Sequence, residues 1–168
     1  VVTMLNTYYG AIVPVILAEG GTVVQFVGDA VMAIFNAPTR QPDHAVRAAR
    51  AGLALHEAIE SVATSPDWPR FRVGVNTGPA LVGNIGAAQM RNFTAIGDTT
   101  NLAARLEGLA EPGTVVIGPL TRRQLGDRAT QDRLRGVELP GGDPRQPATG
   151  LPRHQLHALP RGLQHGHR

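Results

Sequence analysis

Two apolar runs, residues 22–27 (TVVQFV) and 30–35 (AVMAIF), are separated only by Gly28 and Asp29. Both are rich in Val, Ile and Phe, and a glycine-containing two-residue break between such runs is a strong local signal for a β-hairpin. The turn lifts one carboxylate, Asp29, to the end of an otherwise apolar ribbon. An acidic group on a rigid tip can hold a hard cation such as Mg2+ against phosphate oxygens. Asp is also a common turn former, so this stretch by itself leaves both readings open.

The segments around the ribbon set the rest of the fold. Residues 3–19 carry Leu5, Tyr8 or Tyr9, Ile12, Ile16 and Leu17 at helical spacing, and Gly20–Gly21 stops the helix. Pro14 lies inside it and predicts a kink or break. After a turn-rich loop, Pro42 opens a second helix to about Val62, with Ala45, Ala49, Gly52, Leu55, Ile59 and Val62 as its apolar stripe. His44 and His56 on this helix have no second ligand at metal-binding spacing and read as surface or boundary residues.

Residues 71–77 (FRVGVNT) alternate as a strand and break at Gly78–Pro79. Short strands follow at 80–84 and 93–96, then a helix at 99–110 with Leu102, Ala103, Leu106 and Leu109 facing inward. Asn101 and Arg105, four apart, share another face of that helix. Asp98 stands at its entry, where a carboxylate suits helix capping. A strand at 114–117, a short helix at 119–125 and a last strand at 134–139 complete the order. It predicts an α+β, two-layer fold with helices on one face of the sheet.

Composition bounds the function. There is no cysteine among the 168 residues, which excludes disulfides, thiolate metal sites and cysteine nucleophiles. No apolar run approaches the ~20 residues of a membrane-spanning helix, and no signal peptide is recognisable, so a cytoplasmic protein is expected. Residues 1–138 carry twelve Arg against twelve Asp or Glu, whereas 139–168 carry four Arg against Asp143 alone, the source of the net +3. The basic balance therefore belongs to a tail, and nucleic acid is not an expected partner. Pro, Gly, Arg, Gln and four of the six His crowd residues 140–168, which hold no aromatic and are predicted to be disordered. The domain proper is residues 1–138. It has no lysine at all.

The tip, Arg72 in FRVGVNT, and the Asn101–Arg105 pair are individually weak signals, since each also suits an ordinary turn, strand or helix surface. In order and spacing, GGTVVQFVGDAVMAIF, FRVGVNTGPALVGNIG and FTAIGDTTNLAARLEGLAEPGTVVI resemble the class III nucleotidyl cyclases, the adenylyl and guanylyl cyclase catalytic domain. The resemblance runs from Leu5 to Glu138, about four-fifths of the chain. It implies a ferredoxin-like, palm-type sheet and a head-to-tail dimer with active sites at the subunit interface. The reaction it implies converts a nucleoside triphosphate to its 3′,5′-cyclic monophosphate and pyrophosphate, with Mg2+ or Mn2+ as cofactor and two metal ions in the mechanism.

By position, the resemblance assigns Asp29 to metal binding and Arg72 to the triphosphate, for which a guanidinium fork is suited. It assigns Asn101 to the ribose, Arg105 to transition-state charge on the α-phosphate, and Gln25 with Thr94 to the base. Arg135, in LRG, takes the place of a lysine near the triphosphate. Gln25 stands where adenylyl cyclases of the family commonly carry Lys. Its amide still offers a donor and an acceptor to adenine, with a neutral contact in place of a charge-assisted one. ATP is thus expected over GTP.

The resemblance also implies an opening strand before the first helix, carrying a second metal-binding Asp. This sequence starts at or just before that helix, which predicts a truncated or decayed cyclase or a fragment of a longer one. Three outcomes follow: a homodimeric adenylyl cyclase, a guanylyl cyclase, or an impaired nucleotide-binding module that dimerises with itself or with an intact cyclase.

Overall fold

The structure, a computed structural model, describes residues 2–87, 90–130 and 134–136, all within the unit Val1–Glu138. The tail from residue 139 onward, predicted to be disordered, lies outside the described residues. Helix α1 spans Val2–Ala18 and buries Tyr8, Ile12 and Ile16, one per turn on one side. The break expected at Pro14 does not occur: α1 runs through it, because burial on both sides of Pro14 outweighs the one lost backbone hydrogen bond. Gly20 then takes a positive φ of 79° and turns the chain into strand β1, Thr22–Val27.

Strand β2, Ala30–Ile34, pairs antiparallel with β1. Helix α2, His44–Val62, lies against α1, and Tyr8, Ile12, Leu55 and Ile59 form a shared core on which Val31, Trp68, Phe71 and Val73 pack. The rings of Trp68 and Phe71 meet Tyr8 edge-on at 5.2 and 5.0 Å. The predicted stripe of α2 is buried from Ala45 to Ile59, with Val62 half-buried. His56, expected at the surface or its boundary, is buried, because it lies four positions after Gly52 and three before Ile59 on the same stripe.

Strand β3, Val73–Val75, is shorter than the run predicted at 71–77. Strands β4, Leu81–Ala87, and β5, Met90–Ile96, form one antiparallel hairpin in full register, where two separate short strands were expected. Helix α3 is Asp98–Leu109, β6 is Val115–Ile117, α4 is Pro119–Leu125 and β7 is Leu134–Gly136. Among the described residues the strands make three ladders, β1–β2, β4–β5 and a parallel β3–β6–β7, and neither β2 nor β3 has a second strand partner there.

The mixed α+β class holds, but helices cover both faces of the parallel ladder rather than one. Val115 and Ile117 point to Ala49 and Leu125 on the α2 and α4 side, while Val116 joins Leu106 and Ala110 beneath α3. All three residues of β6 are therefore buried, as in parallel sheets covered on both sides. Glycine sets both approaches. A Cβ on Gly52 of α2 would sit 3.2 Å from Val73, and a Cβ on Gly74 of β3 would collide with the Ala103 carbonyl and the Glu107 amide of α3.

Candidate functional site

The hairpin has the two-residue turn its sequence predicts. Val27 pairs with Ala30, and Gly28, at φ 62°, supplies the left-handed conformation between them. Asp29 is exposed at the tip, and Gln25 is exposed on β1. A bulge at Val24 shifts the register so that Gln25 opposes Met32. Beyond it, Phe26 turns to α1, where its ring lies 4.7 Å from that of Tyr9, and alternation points Gln25 away from that contact. The Tyr9 hydroxyl donates to the Gly28 carbonyl at 2.9 Å. Burial raises the Tyr9 pKa, and the Asp29 carboxylate raises it further, so the phenol stays protonated beside the acid.

Arg72 lies directly before β3 and is exposed. The backbone is pinned on both sides of it: Gly113 donates to the Phe71 carbonyl at 2.8 Å, and Val73 donates to the Thr114 carbonyl at 3.2 Å. With Phe71 turned into the aromatic core, the guanidinium is directed outward. Thr94 is half-buried on β5, opposite Gly83, and β5 comes close to β1 although the two belong to separate ladders. The strands that carry the two expected base contacts, Gln25 and Thr94, are thus neighbours.

Asn101 and Arg105 stand on the exposed side of α3. The helix entry is tied to the end of β3: Asn76 Nδ2 donates to the Thr99 carbonyl at 3.0 Å, and Thr99 Oγ1 donates to the Pro79 carbonyl. The Thr100 hydroxyl donates to the Gly97 carbonyl at 2.7 Å. Asp98 does not cap the helix with its side chain as expected. Gly97 is the N-cap, and Asp98 sits in the first turn, where its charge still complements the helix dipole. Leu106 is fully buried, while Leu109, expected inward, is 62% exposed.

A charged residue absent from the predicted site joins Asp29 and Arg72. Burial raises the Glu107 pKa, the Arg72 guanidinium pulls it down, and the Asp29 carboxylate adds to the rise. Tip, β3 and α3 therefore converge closely enough for their charges to interact. The one sequence signal for this contact is Gly74, a glycine inside a strand where another backbone approaches. Around the helix Glu107 lies about 160° from Arg105 and about 120° from Asn101, so those two stand on a different face from Glu107. Arg135 is on β7, level with Val116, at the far edge of the parallel ladder from Arg72, and its side chain lies outside the described residues.

No group of three or more His, Cys, Asp or Glu suited to a metal occurs among the described residues. An exposed carboxylate on a rigid turn, with Arg72 nearby to share a polyphosphate, nevertheless fits a Mg2+-type ion that takes one or two carboxylates and completes its shell with phosphate oxygens and water. No helix among the described residues is long and apolar enough to cross a membrane.

The model of the adenylate and guanylate cyclase catalytic domain matches residues 1–150. Adenylate cyclase 1 of Rhizobium meliloti (strain 1021) is 42% identical over 123 residues, covering 70% of this chain, which spans 18% of that relative's length. The crystal structure of the guanylyl cyclase Cya2 superposes with a TM-score of 0.70 at 32% identity, covering 84% of this chain and 74% of that one. The adenylyl cyclase CyaB from P. aeruginosa superposes with a TM-score of 0.69 at 35% identity, covering 74% and 67%.

Proposed function

The chain belongs to the adenylate and guanylate cyclase catalytic-domain family, and on that premise we propose that it converts ATP to 3′,5′-cyclic AMP and pyrophosphate between two copies arranged head to tail. The observation that carries this reading is the division of α3. Glu107, on one flank of the helix, is close enough to Asp29 and Arg72 for their charges to interact, while Asn101 and Arg105 are exposed on another face. A single chain therefore keeps its two sets of groups apart, and a head-to-tail partner would bring the Asn101–Arg105 face of one copy to the Asp29 tip of the other.

In the reaction, the ribose 3′-oxygen attacks the α-phosphorus, its proton leaves, and the bond from the α-phosphorus to the oxygen bridging to the β-phosphate breaks to release pyrophosphate. Asp29 would hold Mg2+ or Mn2+, which when bound supplies positive charge to the triphosphate and acidifies the attacking hydroxyl. A second such ion would need a further acidic ligand besides Asp29. Arg72 binds oxygens of the triphosphate with its planar fork. Asn101 orients the ribose, and Arg105 stabilises the charge that builds on the α-phosphate. Gln25 on β1 and Thr94 on β5, strands that come close to each other, read the base. The neutral Gln25 amide can also turn its donor and acceptor to guanine, so guanylyl activity is the second reading.

Mixing two variants tests the arrangement. Asp29→Asn and Arg105→Ala should each be inactive in cyclic-nucleotide production from ATP with Mn2+. Mixed, they should recover up to about a quarter of wild-type turnover, because half the dimers are hybrids with one of two sites intact. No recovery, with both variants dimeric, rules out the shared site. The same assay with GTP separates the two substrates, and nucleotide binding without turnover by the wild type would identify a non-catalytic module.

A further inference from the structure

We infer that Tyr9 is a positioning residue for the Asp29 carboxylate, acting through its hydroxyl on the peptide that joins Gly28 to Asp29; this rests on the cyclase reading above. The contrast between the adjacent tyrosines of α1 is the starting point. Tyr8 is 1% exposed, its ring fills the core between Trp68 and Phe71, and its hydroxyl donates to the Pro69 carbonyl at 2.8 Å. That is a packing role. Tyr9, one position on and roughly 100° around the helix, is half-buried and faces the hairpin.

Two contacts tie Tyr9 to the ribbon. Its ring lies 4.7 Å from Phe26, and its hydroxyl donates at 2.9 Å to the Gly28 carbonyl. That carbonyl and the Asp29 amide belong to one planar peptide unit. Fixing the oxygen fixes the plane from which the Asp29 side chain departs. The turn is otherwise open. A Cβ on Gly28 would meet nothing within 4 Å, and both Phe26 and Val27 are 49% exposed. A two-stranded ribbon with so little packing at its end needs an outside contact to hold a carboxylate in one place. Misplacement by about 1 Å at a reacting centre is enough to lower rates a hundredfold.

The phenol suits this task better than a carboxylate or amine would. It donates to the carbonyl without adding charge next to the acid that is to receive a cation. The ring carries the hydroxyl across the gap between helix and tip and packs against Phe26 at a tilt.

The test compares wild type, Tyr9→Phe and Asp29→Asn as full chains. Tyr9→Phe keeps the ring on Phe26 and removes only the hydroxyl. Mn2+ affinity is read by electron paramagnetic resonance in the presence of adenosine 5′-(α,β-methylene)triphosphate, which needs no turnover. Thermal melting is recorded alongside. We expect Tyr9→Phe to weaken Mn2+ binding about three- to tenfold, the range of one net hydrogen bond, while Tm stays within about 2 °C. Unchanged Mn2+ affinity in Tyr9→Phe overturns the role of Tyr9, provided Asp29→Asn does weaken binding, and a loss of affinity matched by a large fall in Tm would make Tyr9 a merely structural residue. If Asp29→Asn leaves Mn2+ binding intact, the ion is not at the tip, and the inference falls together with the cyclase reading of Asp29.

Discussion

The hairpin tip and helix α3 both carry groups of the proposed site, and they are held in opposite ways. The tip is a two-residue turn at the end of a bulged ribbon, exposed on most sides and tethered to α1 by Tyr9. Helix α3 is seated directly on strand β3 over Gly74, with Leu106 sealed beneath it and its entry bonded to Asn76 and Pro79. A tip open to solvent can admit and release a cation and polyphosphate, whereas groups aimed at a transition state gain from a seat that does not move. On the proposed reading, binding falls to the lightly packed half and charge stabilisation to the seated half.

The largest expected effect tests that assignment at Arg105. The residue is exposed and makes no contribution to the seat, so Arg105→Ala should leave Tm unchanged and nucleotide binding within a few-fold. Turnover should fall by about 10²–10³, or roughly 3 kcal/mol of transition-state stabilisation. A Tm that drops in step with turnover would mean that Arg105 helps to hold α3, and the division between seat and chemistry would fail.

A matched pair of substitutions sharpens the contrast. Gly74→Ala places a methyl group against the Ala103 carbonyl and the Glu107 amide, both backbone atoms that cannot swing aside. Overpacking of this kind costs about 1–3 kcal/mol, or roughly 3–10 °C in Tm, and α3 must lift off the sheet. Gly28→Ala meets open space, so its penalty is the left-handed backbone alone, about 1 kcal/mol. Thermal melts of the two variants should therefore differ in that order. Equal melts would show that α3 can back away from β3 as freely as the tip can bend.

The lightly packed half was the more legible in sequence. A Gly–Asp pair between two β-rich runs specifies its turn locally, and the structure places Asp29 where that pattern put it. The helices were legible for the same reason, and α2 follows its predicted stripe from Ala45 to Ile59. What local pattern could not give was the second face. Val116 and Val115 look alike in sequence, yet one packs beneath α3 and the other against the α2 side, a distinction made only when β3 and β6, distant in the chain, come together. His56 was itself legible, since it follows Gly52 by four positions and precedes Ile59 by three on the buried stripe of α2. Glu107 was missed because nothing in its neighbours signals that β3 will bring Arg72 beside it. The bulge at Val24 likewise has no local signature.

The smallest expected effect measures how the two halves communicate. The folded Glu107 carboxyl is raised above its ordinary value of 4.5, first by burial and then by the Asp29 charge, against the pull of Arg72. A carboxyl raised in the folded state binds its proton more tightly there than in the unfolded chain. Folding is therefore favoured below its ordinary range and loses that advantage as pH rises through the folded value. Glu107→Gln removes the titration, so its Tm should exceed that of wild type near pH 7 and converge with it as the pH falls below 4.5. The gain should be no more than about 2 °C, because the side chain retains solvent contact and its charge interactions are screened. Asp29→Asn offers the sharper arm. Removing the tip charge lowers the Glu107 pKa, so the Tm gain from Glu107→Gln near pH 7 should be smaller in the Asp29→Asn background than in wild type. If the gain is the same in both backgrounds, tip and helix are electrostatically independent, and only a bound polyphosphate could couple them.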